Sequence, residues 1–286
     1  MDWEKVKRIF IYLLIWLNIG LFAANHFNGH DYKITNERES AIYKVLEKNG
    51  VGLYTEIIKE APPMRELAIS VNALEIDDFR EIFFKGENPK ITLEFDKTIL
   101  ASNTKSLIVQ DNSITYLNPN GNGKIENFGK ETAMAAAEDF LELLNIDGRS
   151  SLKLESAIPD NGAYVFEYME SFRGYKIFSS LKKITVSENG VTMASASYYT
   201  AQEFTGEKRE IYSCDEILLT FLEEIRKSSP HDSVYIEKIE LGYDFKNAKD
   251  IDDGSRLRLV PCYRIFVAGS PDAYTINAYT NELKEE

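Results

Sequence analysis

Cysteine is nearly missing: Cys214 and Cys262 are the only two in 286 residues. So few exclude a disulfide-stapled secreted scaffold, and two buried thiols are expected rather than a bridge. Histidine is almost as scarce. His26 and His30 lie in or beside an apolar run, and His231 stands alone in "SPHDS". No HExxH, no paired-cysteine metal spacing and no Ser-His-Asp arrangement can be assembled from this stock. GxGxxG and P-loop patterns are also lacking. Positive charge is in deficit, with 33 Lys and Arg against 46 Asp and Glu and a formal net charge of −13. That balance argues against nucleic acid, or an anionic membrane or wall polymer, held by bulk charge.

The remaining candidates for chemistry are weak. Asp77-Asp78 and Asp252-Asp253 are adjacent acids in helix-start or loop contexts. Such pairs mark solvated caps and turns, whereas catalytic carboxylates come from separate elements that face each other. The loop "NPNGNGKIENFG" imitates a calcium loop, with Asn118, Asn120, Asn122, Gly123 and Ile125 at ligand, glycine and apolar positions. All three ligand positions hold neutral amides, and the twelfth, where a bidentate Glu belongs, is Gly129. A hard divalent ion gains too little there to shed its water, so the segment reads as a surface turn. Cys214 opens a helix, a position that lowers a thiol pKa, but with no histidine near it in sequence it reads as structural. The expectation is a protein with no catalytic, cofactor-binding or metal-ligating residues, and not an enzyme.

What is present, first, is an apolar run. Residues 9–27, "IFIYLLIWLNIGLFAANHF", carry no formal charge apart from His26. At ~1.5 Å per residue they span about 28 Å, close to a hydrocarbon core of about 30 Å. A cleaved signal needs small residues at −3 and −1. Behind Ala23 and Ala24 the −3 positions are Leu21 and Phe22, both too large. An uncleaved anchor is therefore expected over 9–27. Lys5, Lys7 and Arg8 precede it, while Lys33 and Arg38 are diluted by Asp31, Glu37 and Glu39. The positive-inside rule places 1–8 in the cytoplasm and the rest outside the cell membrane. Within the run, Trp16 sits mid-span. Asn18 bonds either its own backbone or another transmembrane helix, and Gly20 and Ala24 form a small pair that lets a second helix approach. Trp16, Asn18, Gly20 and Ala24 are the candidate helix contacts.

Beyond the anchor the pattern is α+β, with 44% apolar residues to build a core. "TNERESAIYKVLEKNGV" predicts a helix capped at Asn36 with Glu39 three residues on and stopped at Gly50. Two strands flank Pro62-Pro63, a short helix starts near Asp77, and four short strands run from 91 to 117. "KETAMAAAEDFLELLNIDG" is an amphipathic helix, followed by strands up to "VTMASASYY" with a hairpin at Asn189-Gly190. Ser213 and Glu216 form a capping box that opens a further helix, and three strand-like segments close the chain. A helix followed by an antiparallel meander thus recurs, suggesting a duplicated unit over 129–205 and 212–286. The expected organisation is a tail 1–8, an anchor 9–27, a membrane-proximal region 31–128 and a second region 129–286. Antiparallel sheets with helices packed on one face would make up the ectodomain. Tyr198, Tyr199, Tyr263 and Tyr279 sit in strands able to expose one face and are the candidate surface contacts.

The opening "MDWEKVKRIFIYLLIWLN", the helix "NERESAIYKVLEKNGV" just outside the span and the ending "LVPCYRIFVAGSPDAYTINAYTNEL" resemble the YycI family of Gram-positive bacteria and its YycH relatives. The resemblance implies a non-enzymatic, membrane-anchored regulatory protein. Its expected partners are a WalK (YycG)-like sensor histidine kinase of a cell-wall two-component system and a YycH-like protein, met through spans and outside domains. The alternative from another class is an anchored envelope hydrolase or ligand-binding protein, which requires a concave pocket with converging polar groups.

Overall fold

The structure is a computed structural model and describes residues 3, 7, 10–18, 32–71, 74–144, 152–228, 233–245, 257–270 and 273–284. Residues 10–18 are helical. Among the described residues no helix is long and apolar enough to cross a membrane. The rest of the expected span, 9 and 19–27 with Gly20 and Ala24, lies outside them.

Helix boundaries follow local chemistry. In α1 (Asn36–Lys48) the cap is Thr35, one residue earlier than the sequence spacing indicates, and its hydroxyl accepts from Arg38 N–H. Gly50, at φ 70°, supplies the left-handed exit. In α4 (Cys214–Ser228) the Ser213 N–H donates to the Glu216 carboxylate at 2.9 Å, the returning half of the expected capping box. Ile217, Leu218, Phe221, Leu222 and Ile225 are all buried along one face. The two helices are tied by a two-pronged ion pair, with Arg38 Nε and Nη2 2.8 and 2.9 Å from the Asp215 carboxylate. Two further helices, α2 (Ile76–Phe83) and α3 (Lys130–Leu144), bury Phe79, Phe83, Ala133, Ala137, Phe140 and Leu144.

Among the described residues, fifteen strands form one antiparallel-dominated sheet. In chain order they are β1 (Val51–Leu53), β2 (Met64–Val71), β3 (Lys90–Leu93), β4 (Lys97–Ala101), β5 (Ser106–Gln110), β6 (Ser113–Leu117), β7 (Leu152–Asp160), β8 (Ala163–Phe172), β9 (Tyr175–Ser187), β10 (Gly190–Ser197), β11 (Tyr199–Arg209), β12 (Val234–Phe245), β13 (Arg258–Val267), β14 (Tyr274–Asn277) and β15 (Glu282–Leu283). The main path runs β11-β2-β13-β12-β9-β10-β6-β5-β4-β3. Only β1 with β12 and β12 with β9 pair in parallel among the described strands.

The side chains sort into two large cores. One joins α1, α4 and the strands of 51–69 and 234–278. The other is drawn from residues between Phe79 and Tyr198, although Ile177 within that range belongs to the first core. The cores therefore divide the chain near 71–79 and at 198/199, and the segment 31–128 contributes to both. The crossing is abrupt. Tyr198, between β10 and β11, packs into the second core, and Tyr199, the first residue of β11, packs into the first.

A seam joins the two cores at β9. Glu170 of β8 pairs with Ile177 and Tyr168 with Lys182, so β9 carries extra residues at 178–181. Ser180 holds this bulge, its hydroxyl donating to Ile177 O at 2.6 Å and accepting from Glu170 N–H at 2.9 Å. Before the bulge β9 meets β12; after it, β10. Met169, Phe178, Val260 and Cys262 form a small third cluster there. Gly242 is required at this crossing, because a Cβ would lie 2.6 Å from Lys176 O and 2.7 Å from Phe178 Cζ.

Candidate functional site: uncovered apolar surfaces

Of the four tyrosines expected as surface contacts, three are buried and Tyr279 is half-buried. Tyr198, Tyr199 and Tyr263 are buried, because both faces of the sheet are covered where they sit. The Tyr198 hydroxyl donates to Leu144 O at 3.0 Å, locking the end of α3 onto the sheet. The Tyr199 ring meets Phe245 edge-on. Burial pushes the Tyr263 hydroxyl well above the usual phenol value. Tyr279 is half-buried, donates to Met64 O at 3.0 Å and lies under the Arg209 guanidinium at 4.4 Å.

Both cysteines are free and buried, as the sequence indicates. Burial pushes the Cys214 thiol up to about 12; a backbone bond from Ile58 opposes this and the Asp215 carboxylate adds to it. At neutral pH it is therefore no nucleophile. The asparagine-rich loop also serves the fold. Asn118 Nδ2 donates to Gly121 O at 2.7 Å, and Asn122 Oδ1 accepts from Val191 N–H at 2.8 Å. Gly123 and Ile125 bond back to Asn189 and Glu188, so the loop lies along the β9–β10 turn. Gly121, at φ 73°, has no room for a Cβ, which would sit 1.9 Å from Asn189 O. Among the described residues no cluster of His, Cys, Asp and Glu could hold a metal ion. The exposed acids Asp77 and Asp78 lie in the first turn of α2, as expected of helix-start carboxylates.

Among the described residues, two uncovered apolar surfaces are candidate contacts. The first is the N-terminal helical stretch. Phe10 to Leu17 are all exposed, with Trp16 at 73%. Asn18 Nδ2 donates to Leu14 O at 2.8 Å, a local backbone bond that engages one of its two N–H groups.

The second is the β3 end of the sheet. Ile91, Leu93 and Phe95 are exposed at 45%, 78% and 107%. The sequence passage "KITLEF" carried the signal for this surface, an apolar residue at every second position, and sequence reasoning assigned it only to a strand. Ile91 pairs with Leu100, and Leu93 with Thr98 and through it with Val109. These rows belong to the face that packs the second core, but α2 and α3 do not reach the last strand. A groove of about 410 Å³ remains, lined by Leu74, Ile76, Phe95, Thr98 and Val109. Glu94, Asp96, Asp111 and Lys97 also line it. Asp96 is engaged by Gln110 at 2.7 Å and Glu94 by Lys97 at 3.0 Å.

The main chain of β3 has a defined parity. Glu94 N–H donates to Lys97 O at 2.9 Å. In an antiparallel ladder such pairs alternate, so Lys90, Thr92 and Glu94 turn their main-chain groups toward β4. Ile91 and Leu93 turn theirs away from the sheet.

No family model matches the chain, and no curated protein matches it. Among solved structures, an uncharacterized protein from Eubacterium rectale is similar at a TM-score of 0.52 and 13% identity, over 83% of this chain and 91% of that one. The likeness is one of fold. The C-terminal domain of YpeB from Bacillus megaterium aligns over 74% of this chain and 96% of its own, at 16% identity and a TM-score of 0.36, too low to establish a shared fold.

Proposed function

We propose that this protein is a non-enzymatic regulator that is anchored in the cell membrane by residues 9–27 and acts by contact with a membrane kinase. The observation that carries the reading is the helical stretch with Phe10 to Leu17 uncovered. A row of eight apolar side chains of this kind needs lipid or another helix to remove it from water. In this reading the N-terminus is cytoplasmic and the α+β region lies outside, with the helix-and-meander unit present twice.

The resemblance to the YycI family supplies the partner class: a WalK-like sensor histidine kinase, together with a YycH-like protein. Confinement to one bilayer raises effective concentration, so helix contacts of about 1 kcal/mol become useful. Trp16, Asn18, Gly20 and Ala24 are the contact residues proposed for the span. Regulation then requires the complex to favour one kinase state through differential contacts. Replacing residues 9–24 with an unrelated span, followed by co-purification from membranes in mild detergent, tests the reading. Loss of the kinase is expected. Retention of the kinase would show that the outside region makes the contact unaided and would overturn the role given to the span.

A further inference from the structure

We propose that two copies of the chain associate edge to edge through β3, antiparallel about a two-fold axis at Thr92, which extends the sheet across both copies. The inference is independent of the kinase reading.

Three features of β3 converge on a second copy as the occupant. The first is parity. A strand added antiparallel to β3 must place outward-turned residues opposite outward-turned residues. With the axis at Thr92, Ile91 faces Leu93 of the other copy and Leu93 faces its Ile91, so both pairs are of the hydrogen-bonded kind. The second is polarity. The same register sets Lys90 opposite Glu94 of the second copy, twice, on one face. On the other face it sets Ile91 against Leu93, twice. The five residues Lys90-Ile91-Thr92-Leu93-Glu94 are thus self-complementary when one copy is reversed. The third is exposure. Ile91 and Leu93 stand uncovered beside the groove of Leu74, Ile76 and Val109, and pairing would cover them with each other. An isologous contact of this kind closes on itself and yields a dimer, not a fibre. It is small, so the association belongs to the weak, transient class and is best trapped covalently.

The test uses the full chain in detergent or lipid vesicles. In the proposed register Thr92 forms a non-hydrogen-bonded pair with its own copy, with Cα atoms about 4.5 Å apart. That separation suits a disulfide. Under mild oxidation Thr92→Cys is expected to give a reducible species of twice the chain mass. Thr104→Cys, in the exposed turn after β4, should not. The buried native thiols remain silent. Lys90→Glu added to Thr92→Cys should lower cross-linking roughly three- to tenfold by opposing like charges, and Lys90→Glu with Glu94→Lys should restore it. Circular dichroism on each variant confirms the fold. Folded Thr92→Cys that cross-links no more than Thr104→Cys would overturn the proposal. So would a double charge swap that fails to recover what the single change removed.

Discussion

The main path of the sheet ends in two very different strands. At one end β11 is long and guarded. It bulges against β2 at 201–203 and again at 205–209, turns through Gly206 at φ 71°, and exposes Glu203, Glu207, Lys208 and Arg209. Each device spoils the regular ladder that a foreign strand would need. At the other end β3 is short, regular in its pairing with β4, and apolar on its uncovered face. One end of the path is blunted and the other is left open, the difference between an edge that is protected and one that, in the proposed dimer, is used.

The largest expected effects come from undermining each end in turn. Leu67 beside β11 and Leu100 beneath β3 are fully buried, one in each core. Leu67→Ala and Leu100→Ala should each cost about 2–5 kcal/mol, read as a lowered denaturation midpoint. Because the sheet is continuous through β9, both should shift one common transition. Two separate transitions would show that the ends are independent units. Next comes the seam. Gly242→Ala forces a Cβ against Lys176 O and should cost about 1–3 kcal/mol, again measured by chemical denaturation.

A pH effect at the same seam follows. Burial pushes the Glu240 carboxyl up, but Lys176 at 2.7 Å and Lys238 at 2.6 Å outweigh it and hold the group below its ordinary 4.5. A depressed carboxylate contributes stability that is present above the unfolded value and lost as pH falls through the folded one. Glu240→Gln should therefore flatten the loss of stability below about pH 4.5, followed by thermal unfolding across acid buffers. The smallest effect on stability, and the sharpest on the comparison, concerns the edges. Leu93→Lys should change stability by no more than about 0.5 kcal/mol yet remove the Thr92→Cys cross-link. Glu207→Leu on β11 should create no new association in sedimentation, because the bulges keep that ladder irregular.

Local elements were the legible part of the sequence. Pro62-Pro63 separates β1 from β2, Asp77 falls in the first turn of α2, and the spacing of Ile217, Leu218, Phe221, Leu222 and Ile225 gives the buried face of α4. Each depends on neighbours a few residues away. β11 was missed, since "TAQEFTGEKRE" has no apolar alternation; β2 supplies what makes it a strand. The tyrosines show the deeper limit. A period of two tells which residues share a face, but not whether that face meets water. Tyr198 and Tyr199 are neighbours in the chain, and each meets a core.

The sequence by itself determined the apolar N-terminal run, the acidic charge and most helix and strand positions, since all of these arise from composition or from contacts within a few residues. Only the tertiary structure decided which apolar strand face stays uncovered. The helices that cover one sheet face stop short of β3, and that reach is set by residues distant in the chain.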